Sequence, residues 1–155
     1  MTAFTRADLP GAARIVVKVG SSSISGDAAW RIPLLVEALA AAHARGAEIV
    51  LVSSGAIATG IPFLQLEARP TDLATQQAAA AVGQNVLVYR YQEALRPHGI
   101  VAGQVLLTTG DLEHPTSRSN ARVASSSTTP SAYRLVVVAC MRVEPVIACG
   151  PVGSG

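Results

Sequence analysis

The basic residues of this sequence include a single lysine. Eleven of the twelve are arginine, and the twelfth is Lys18. An ammonium group is a compact, movable point charge, whereas a guanidinium is a planar fork, so the two are not interchangeable at a site that holds a reacting anion. Lys18 is therefore a candidate for chemistry. The count alone leaves open the alternative that an arginine-rich sequence retained one surface lysine by chance.

Two loops of small residues could hold an anion near this lysine. The first, GSSSISG, begins with Gly20 and Ser21, and the second, SSGAIATG, contains Ser54, Gly55 and Ala56. Both expose backbone N–H groups, and the second leads into a helix N-terminus, which favours negative charge. Neither loop has the GxxxxGK[ST] or GxGxxG spacing of a common nucleotide motif. Each loop is a weak signal alone, but the lysine lies two residues before the first one, and together they predict a phosphate site.

The elements that must position these loops alternate between strands and helices. Apolar, β-branched runs at residues 14–19, 48–53 and 100–108 predict strands, and helical spacing predicts helices over 28–45 and 72–95. The first two strands lead directly into the two loops. This order is typical of a parallel sheet covered on both faces, with ligands bound at the carboxyl ends of the strands. We therefore expect the three strands to be neighbours and both loops to converge with Lys18 on one edge.

Local signals set the expected ends of the two helices. Pro33 suits the first turn of the earlier helix and Gly46 follows its end, while Thr71 is the expected N-cap of the later helix. Gly83 lies inside the later helix, where glycine costs about 1 kcal/mol relative to alanine. Its presence there predicts a close contact with another part of the backbone.

Composition excludes several classes of protein. The 155 residues suffice for one domain, and a net charge of +2 with 14% charged residues gives no basic surface for nucleic acid. No run of about 18 apolar residues predicts a membrane span, and the first 13 residues lack the apolar core of a signal peptide, so we expect a cytoplasmic protein. Cys140 and Cys149 match neither a disulfide framework nor a common metal spacing.

Five strings carry a resemblance over residues 13–122. RIVVKVGSSSIS, IVLVSSGAIATGI, RPTDLATQQAAAAVGQ, GQVLLTTGDLE and SNAR resemble the N-terminal half of the glutamate 5-kinase branch of the amino acid kinase family. The resemblance implies a three-layer α/β/α sandwich with a mostly parallel central sheet, which binds L-glutamate, ATP and Mg²⁺ and assembles as a homo-oligomer. Another amino acid kinase, acting on acetylglutamate, aspartate or a nucleotide, is the alternative within the family, although GAIATGI followed by LATQQAAAAVGQ disfavours it.

The same resemblance implies roles for the candidate residues. Lys18 is the catalytic residue that stabilises the phosphates during transfer, and Gly20 and Ser21 form the turn that approaches the transferring phosphoryl group. Ser54, with Gly55 and Ala56 beside it, contributes to the glutamate site. No metal ligand is assigned.

The resemblance ends at residue 122, and we interpret 1–122 as the glutamate-binding part and 123–155 as a divergent tail. The tail contains the loop-like stretch 125–131 and β-like runs at 135–140 and 145–149, but no Asn and only one acidic residue. A reading-frame change or truncation is the interpretation that we favour. We therefore expect the activity to be impaired, and this polypeptide alone not to form γ-glutamyl phosphate. The alternative from another class is a folded, non-catalytic remnant.

Overall fold

The computed structural model describes residues 5–107, 113–117, 119–120 and 135–141. The longer elements follow one another as β1 (Arg14–Val19), α1 (Arg31–Ala44), β2 (Glu48–Ser53), α2 (Ala56–Gly60), α3 (Leu73–Leu95), β3 (Val101–Leu107) and β4 (Leu135–Met141). Short 3-10 turns occur at Arg6–Gly11, Ser21–Ser23, Gly26–Ala28, Pro62–Leu64 and Arg96–His98. No helix in these ranges is long and apolar enough to cross a membrane.

The four strands within the described ranges form one parallel sheet in the order β1-β2-β4-β3. The expected strands at 14–19 and 48–53 are confirmed with the same bounds. The strand expected at 100–108 is observed as Val101–Leu107, and residue 108 lies outside the described residues. The expectation that these three strands are neighbours is wrong in one respect, because β4 lies between β2 and β3. The β-like run at 135–140 is confirmed as β4, whereas 125–131 and 145–149 lie outside the described residues.

The helices begin slightly later than the sequence predicts. Residues 26–28 form a 3-10 turn, so α1 starts at residue 31, and Pro33 remains in its first turn. Gly46 follows the helix with a φ of +94°, a conformation that glycine adopts without strain. The cap of α3 is Asp72 rather than Thr71, because the Asp72 carboxylate accepts a hydrogen bond from the Thr75 N–H at 2.9 Å. That hydrogen bond lowers the pKa of Asp72.

One face of the sheet carries the core. Helices α1 and α3 contact each other and pack on one face of β1 and β2. Every second residue of the two strands points toward this face. Leu51 and Leu87 are fully buried there, and Val36 is almost fully buried. The residues of β1 and β2 on this face are Ile15, Val17, Val19, Ile49, Leu51 and Ser53. Small and branched aliphatic side chains therefore build most of this core, together with the fully buried Tyr91.

The opposite face of the sheet, called the second face below, is more open. Val16 and Lys18 of β1 are exposed on it, Val16 by 62%, while Val50 and Val52 of β2 are half-buried. Within the described ranges the fold is thus an α/β arrangement of one helical layer on a parallel sheet. The expected covering of both faces, and with it the three-layer sandwich, is not seen in this part of the chain.

Helix α2 packs against α3 at backbone distance. A Cβ atom on Gly83 would lie 2.9 Å from the carbonyl carbon of Ala56, and one on Gly60 would lie 2.8 Å from the carbonyl carbon of Ala79. Real Cβ contacts are longer, since carbon atoms rest about 3.5–4.0 Å apart. The close approach that Gly83 predicts is confirmed, and its partner is the five-residue helix that follows β2.

Candidate functional site

The two small-residue loops start at the same edge of the sheet. Strands β1 and β2 are adjacent and parallel, and Val19, the last residue of β1, is in register with Ser53, the last residue of β2. Gly20 and Ser54 therefore leave the sheet side by side. This edge is the carboxyl end of a parallel sheet, where open α/β folds bind their ligands.

Direct contacts join the second loop to the end of β1 and to the first loop. The Ser54 N–H and the Ser54 hydroxyl both donate to the Val19 carbonyl oxygen, each at 3.3 Å. A Cβ atom on Gly55 would lie 3.2 Å from Cδ1 of Ile24 and 3.4 Å from Oγ of Ser25. A larger residue at position 55 would therefore press on the first loop. The structure thus brings the candidates at positions 20, 21, 54, 55 and 56 into one local cluster.

The first loop is held by its own contacts. Residues 21–23 form a 3-10 turn, and the Ser25 hydroxyl donates to the Ser21 carbonyl oxygen at 2.5 Å. Ile24 is 1% exposed and anchors the loop in the core. Gly20 has an ordinary φ of −75°, and a Cβ atom there would meet nothing within 4 Å. The fold therefore gives no conformational reason for glycine at position 20, and the space beside its backbone is open.

Lys18 lies two residues before this loop and is exposed on the second face of the sheet. It pairs in register with Val52, which stands two residues before Ser54. Its position at the end of β1 agrees with the predicted edge. The approach of its ammonium group to the amides of Gly55 and Ala56 stays a prediction.

Helix α2, which the last five residues of the second loop form, is shorter than a strong anion site requires. Helix α2 has only five residues, and its N-cap, Gly55, has no side chain to cap it. Because the dipole of a helix accumulates over aligned peptides, one turn of helix contributes little to it. The amide groups of residues 55 and 56 remain the donors that this segment can offer, and their placement depends on the contacts that hold α2.

No group of three or more His, Cys, Asp or Glu residues that could hold a metal ion occurs in the part of the chain that the structure describes. The described residues of the two loops offer hydroxyl groups and backbone amides. Such donors suit a carboxylate or phosphate group.

Sequence reasoning missed a buried contact beneath the edge. Tyr91 of α3 is fully buried, and its hydroxyl lies 3.4 Å from the hydroxyl of Ser53, which is 2% exposed. The signal available in the sequence was the spacing of Leu87, Tyr91 and Leu95, which places all three on one side of α3. That spacing predicts a core position for Tyr91 but gives no sign of its polar partner on β2.

The sequence profile of the amino acid kinase family matches residues 13–148. This chain therefore belongs to the amino acid kinase family. The match extends 26 residues past residue 122, where the resemblance of the five strings ends, and it includes β4.

The relatives most similar to the chain include glutamate 5-kinases of several bacteria. The chain is 71% identical to that of Clavibacter sepedonicus over 120 residues, 77% of the chain and 46% of the relative. It is 68% identical to that of Leifsonia xyli subsp. xyli over 124 residues, 80% of the chain and 46% of the relative. With that of Cutibacterium acnes the identity is 44% over 154 residues, 97% of the chain and 38% of the relative. The chain thus spans less than half the length of these relatives.

Proposed function

We propose that this chain provides the glutamate-binding and phosphate-facing part of a glutamate 5-kinase. Such an enzyme uses ATP to phosphorylate the γ-carboxylate of L-glutamate, which yields γ-glutamyl phosphate for proline biosynthesis. The observation that carries the proposal is the pair of contacting loops at the ends of β1 and β2, beside the single lysine. The 71% identity to a glutamate 5-kinase supports this substrate over those of other amino acid kinases.

The proposed roles follow from the charges in the reaction. The γ-carboxylate is ionised at neutral pH, so it attacks without a general base. Lys18 would stabilise the charge of the transferring phosphoryl group, and the backbone at Gly20 and Ser21 would approach it from the first loop. Ser54, Gly55 and Ala56 would bind glutamate. Catalysis would then consist of positioning and charge stabilisation.

ATP with Mg²⁺ is the proposed phosphoryl donor. Mg²⁺ in such enzymes commonly keeps several waters and is held by one or two carboxylates together with the phosphates of the nucleotide. The hydroxyl, amide and ammonium groups at this edge suit the phosphate part of that complex. We assign no residue of this chain as a metal ligand.

A three-layer α/β/α sandwich is the proposed complete architecture. Helices α1 and α3 lie on the same face and belong to connections that run in the same direction across the sheet, from β1 to β2 and from β2 to β3. The connection from β3 back to β4 runs the other way. Because parallel crossovers are right-handed in about 98% of cases, this connection would pass over the second face. The described residues of this connection are helical at 113, 115–117 and 119–120, and all but residue 117 are exposed.

The boundary at residue 122 and the divergent tail remain part of the proposal, as do a cytoplasmic location and a homo-oligomer. Residues 123–155 would then add little to the nucleotide site. We therefore expect the 155-residue polypeptide alone to form no γ-glutamyl phosphate. This expectation is measurable as hydroxamate formation that depends on both glutamate and ATP.

A chimera tests the residues of this chain within a longer enzyme. Residues 13–107 would replace the matching part of the Clavibacter sepedonicus glutamate 5-kinase, and hydroxamate formation would be measured. We expect turnover, and a loss of about 100-fold or more in Lys18→Met, the size of effect seen when one donor to a transition-state anion is removed. The matched control is Arg45→Ala, at the opposite edge of the sheet, which should leave turnover unchanged. An active chimera that is indifferent to Lys18→Met would contradict the proposed role, and an inactive chimera would favour the non-catalytic alternative.

A further inference from the structure

Helix α3 touches the backbone of the second loop at a residue that has no assigned role. Gly83 faces the carbonyl group of Ala56, and a Cβ atom there would overlap the carbonyl oxygen and lie 2.9 Å from the carbonyl carbon. One helical turn away, the carbonyl group of Ala79 meets Gly60 in the same manner. The first and last residues of α2 are thus both in backbone contact with α3. Two contacts separated by a turn fix both the distance and the direction of α2.

Helix α3 also contacts Ser53, the residue before the 54–56 segment. The Tyr91 hydroxyl lies 3.4 Å from the Ser53 hydroxyl, and both side chains are buried. Tyr91 is two turns beyond Gly83 on α3. The segment of residues 54–56 is therefore bounded on each side by a contact with one rigid, 23-residue helix.

We infer that Gly83 is a positioning residue for the 54–56 segment, and that Tyr91 has the same role at the start of that segment. The catalytic meaning of this inference rests on the proposed function, in which residues 54–56 bind glutamate. Gly83 touches no substrate in this account. It acts through Ala56, whose peptide group is joined directly to Gly55 and moves with it.

The size of the displacement follows from the contact distance. Because the added Cβ atom would overlap the Ala56 carbonyl oxygen, the two backbones must move apart by about 1 Å or more to reach ordinary van der Waals separation. The atom that carries the Cβ belongs to a long helix in the core, whereas α2 has five residues, so most of the movement falls on α2. A misplacement of about 1 Å at a reacting group is enough to cost on the order of 100-fold in rate.

The test uses the full 155-residue chain, labelled with ¹⁵N and free of ligand. The variants are Gly83→Ala, which adds the single methyl group, and Tyr91→Phe, which removes only the hydroxyl. The control is Leu95→Val, which disturbs the same core at the far end of α3, where Leu95 is 1% exposed. For each variant, amide chemical shifts and hydrogen-exchange rates of residues 54–57 are compared, together with Tm and the affinity for L-glutamate by titration.

We expect Gly83→Ala to shift the amides of Gly55 and Ala56 at a temperature where the chain is folded. Glutamate binding should weaken by about tenfold, the effect of losing one hydrogen bond to the ligand. Tyr91→Phe should shift the Ser54 amide with a smaller loss of affinity. Leu95→Val should lower Tm while leaving these amides in place. That pattern separates positioning from general destabilisation.

Three results would overturn the inference. The first is that Gly83→Ala shifts only amides within α3. The second is that Leu95→Val shifts the amides of the 54–56 segment as much as Gly83→Ala does. The third applies if Gly83→Ala does not fold, and it is an unchanged Ser54 amide in Tyr91→Phe. A parent chain that binds no glutamate would count against the proposed substrate site instead. The ligand-free amide shifts would still decide whether α3 positions the loop.

Discussion

The substitution Val16→Thr tests whether a third layer covers the second face of the sheet. Threonine is β-branched and nearly isosteric with valine, so it preserves strand preference and replaces one methyl group by a hydroxyl. In the described part of the chain Val16 is 62% exposed. A hydroxyl at that exposure keeps its water, and the cost would stay below about 0.5 kcal/mol.

The three-layer proposal leads to a different magnitude. If the connection from β3 to β4 passes over this face, the hydroxyl is buried with no hydrogen-bond partner, which costs about 1–3 kcal/mol in proteins. Val19→Thr on the same strand is the matched control, since Val19 faces the core on the other side and is 9% exposed. We expect the two substitutions to lower the free energy of unfolding by similar amounts.

Urea unfolding of the 155-residue chain, followed by circular dichroism at 25 °C, measures both costs. A cost above about 1 kcal/mol for Val19→Thr, together with a cost below about 0.5 kcal/mol for Val16→Thr, would contradict the proposed third layer. The second face would then be open to solvent in this chain, and the handedness argument would not describe it. Equal slopes of the unfolding curves are required for the comparison, because a change in slope signals a change in the unfolded or folded ensemble.

Two further predictions concern single residues outside the site. Gly46→Ala should lower the free energy of unfolding by about 1 kcal/mol, because Gly46 has a φ of +94°. The control is Gly11→Ala, which should change it little because position 11 has open space and no positive φ. Urea unfolding of both variants measures the difference. Asp72→Ala should lower Tm at pH 7, because the pKa of Asp72 is lowered by the Thr75 N–H and the carboxylate form stabilises the fold. That stabilisation is complete above the ordinary aspartate pKa and is lost as the pH falls through the lowered value, so a Tm difference that persists undiminished at pH 2 would contradict it.

Local patterns were enough to predict the elements that carry the site. β1 and β2 are runs of branched residues that end in glycine- and serine-rich loops, and both are observed with the expected bounds. Helix α3 begins and ends within one residue of its expected range, because a capping aspartate precedes it and Pro97 and Gly99 follow it. Each of these features depends on residues close together in sequence.

Features that depend on distant partners were not predictable in this way. β4 lies between β2 and β3 because it pairs with both of them, and its partners in β2 are more than eighty residues away in sequence. The β-like run at 135–140 predicts a strand but does not indicate which strands it pairs with. The contact of Gly60 with Ala79 and that of Ser53 with Tyr91 also join separate elements. Gly83 predicts a close contact, but a glycine in a helix does not indicate which segment of the backbone approaches it.

The position of β4 bears on how the chain is made. In the described sheet, β3 has no strand partner other than β4, which follows it in the chain. At about 5–20 residues per second, the ribosome needs roughly 2–7 seconds to extend the chain from the end of β3 to the end of β4. During that interval β2 and β3 both present unpaired strand edges, separated by a gap one strand wide. Such edges are templates for pairing with other chains. A nascent polypeptide is therefore exposed to aggregation, and would benefit from a chaperone, in the seconds before β4 enters the middle of the sheet.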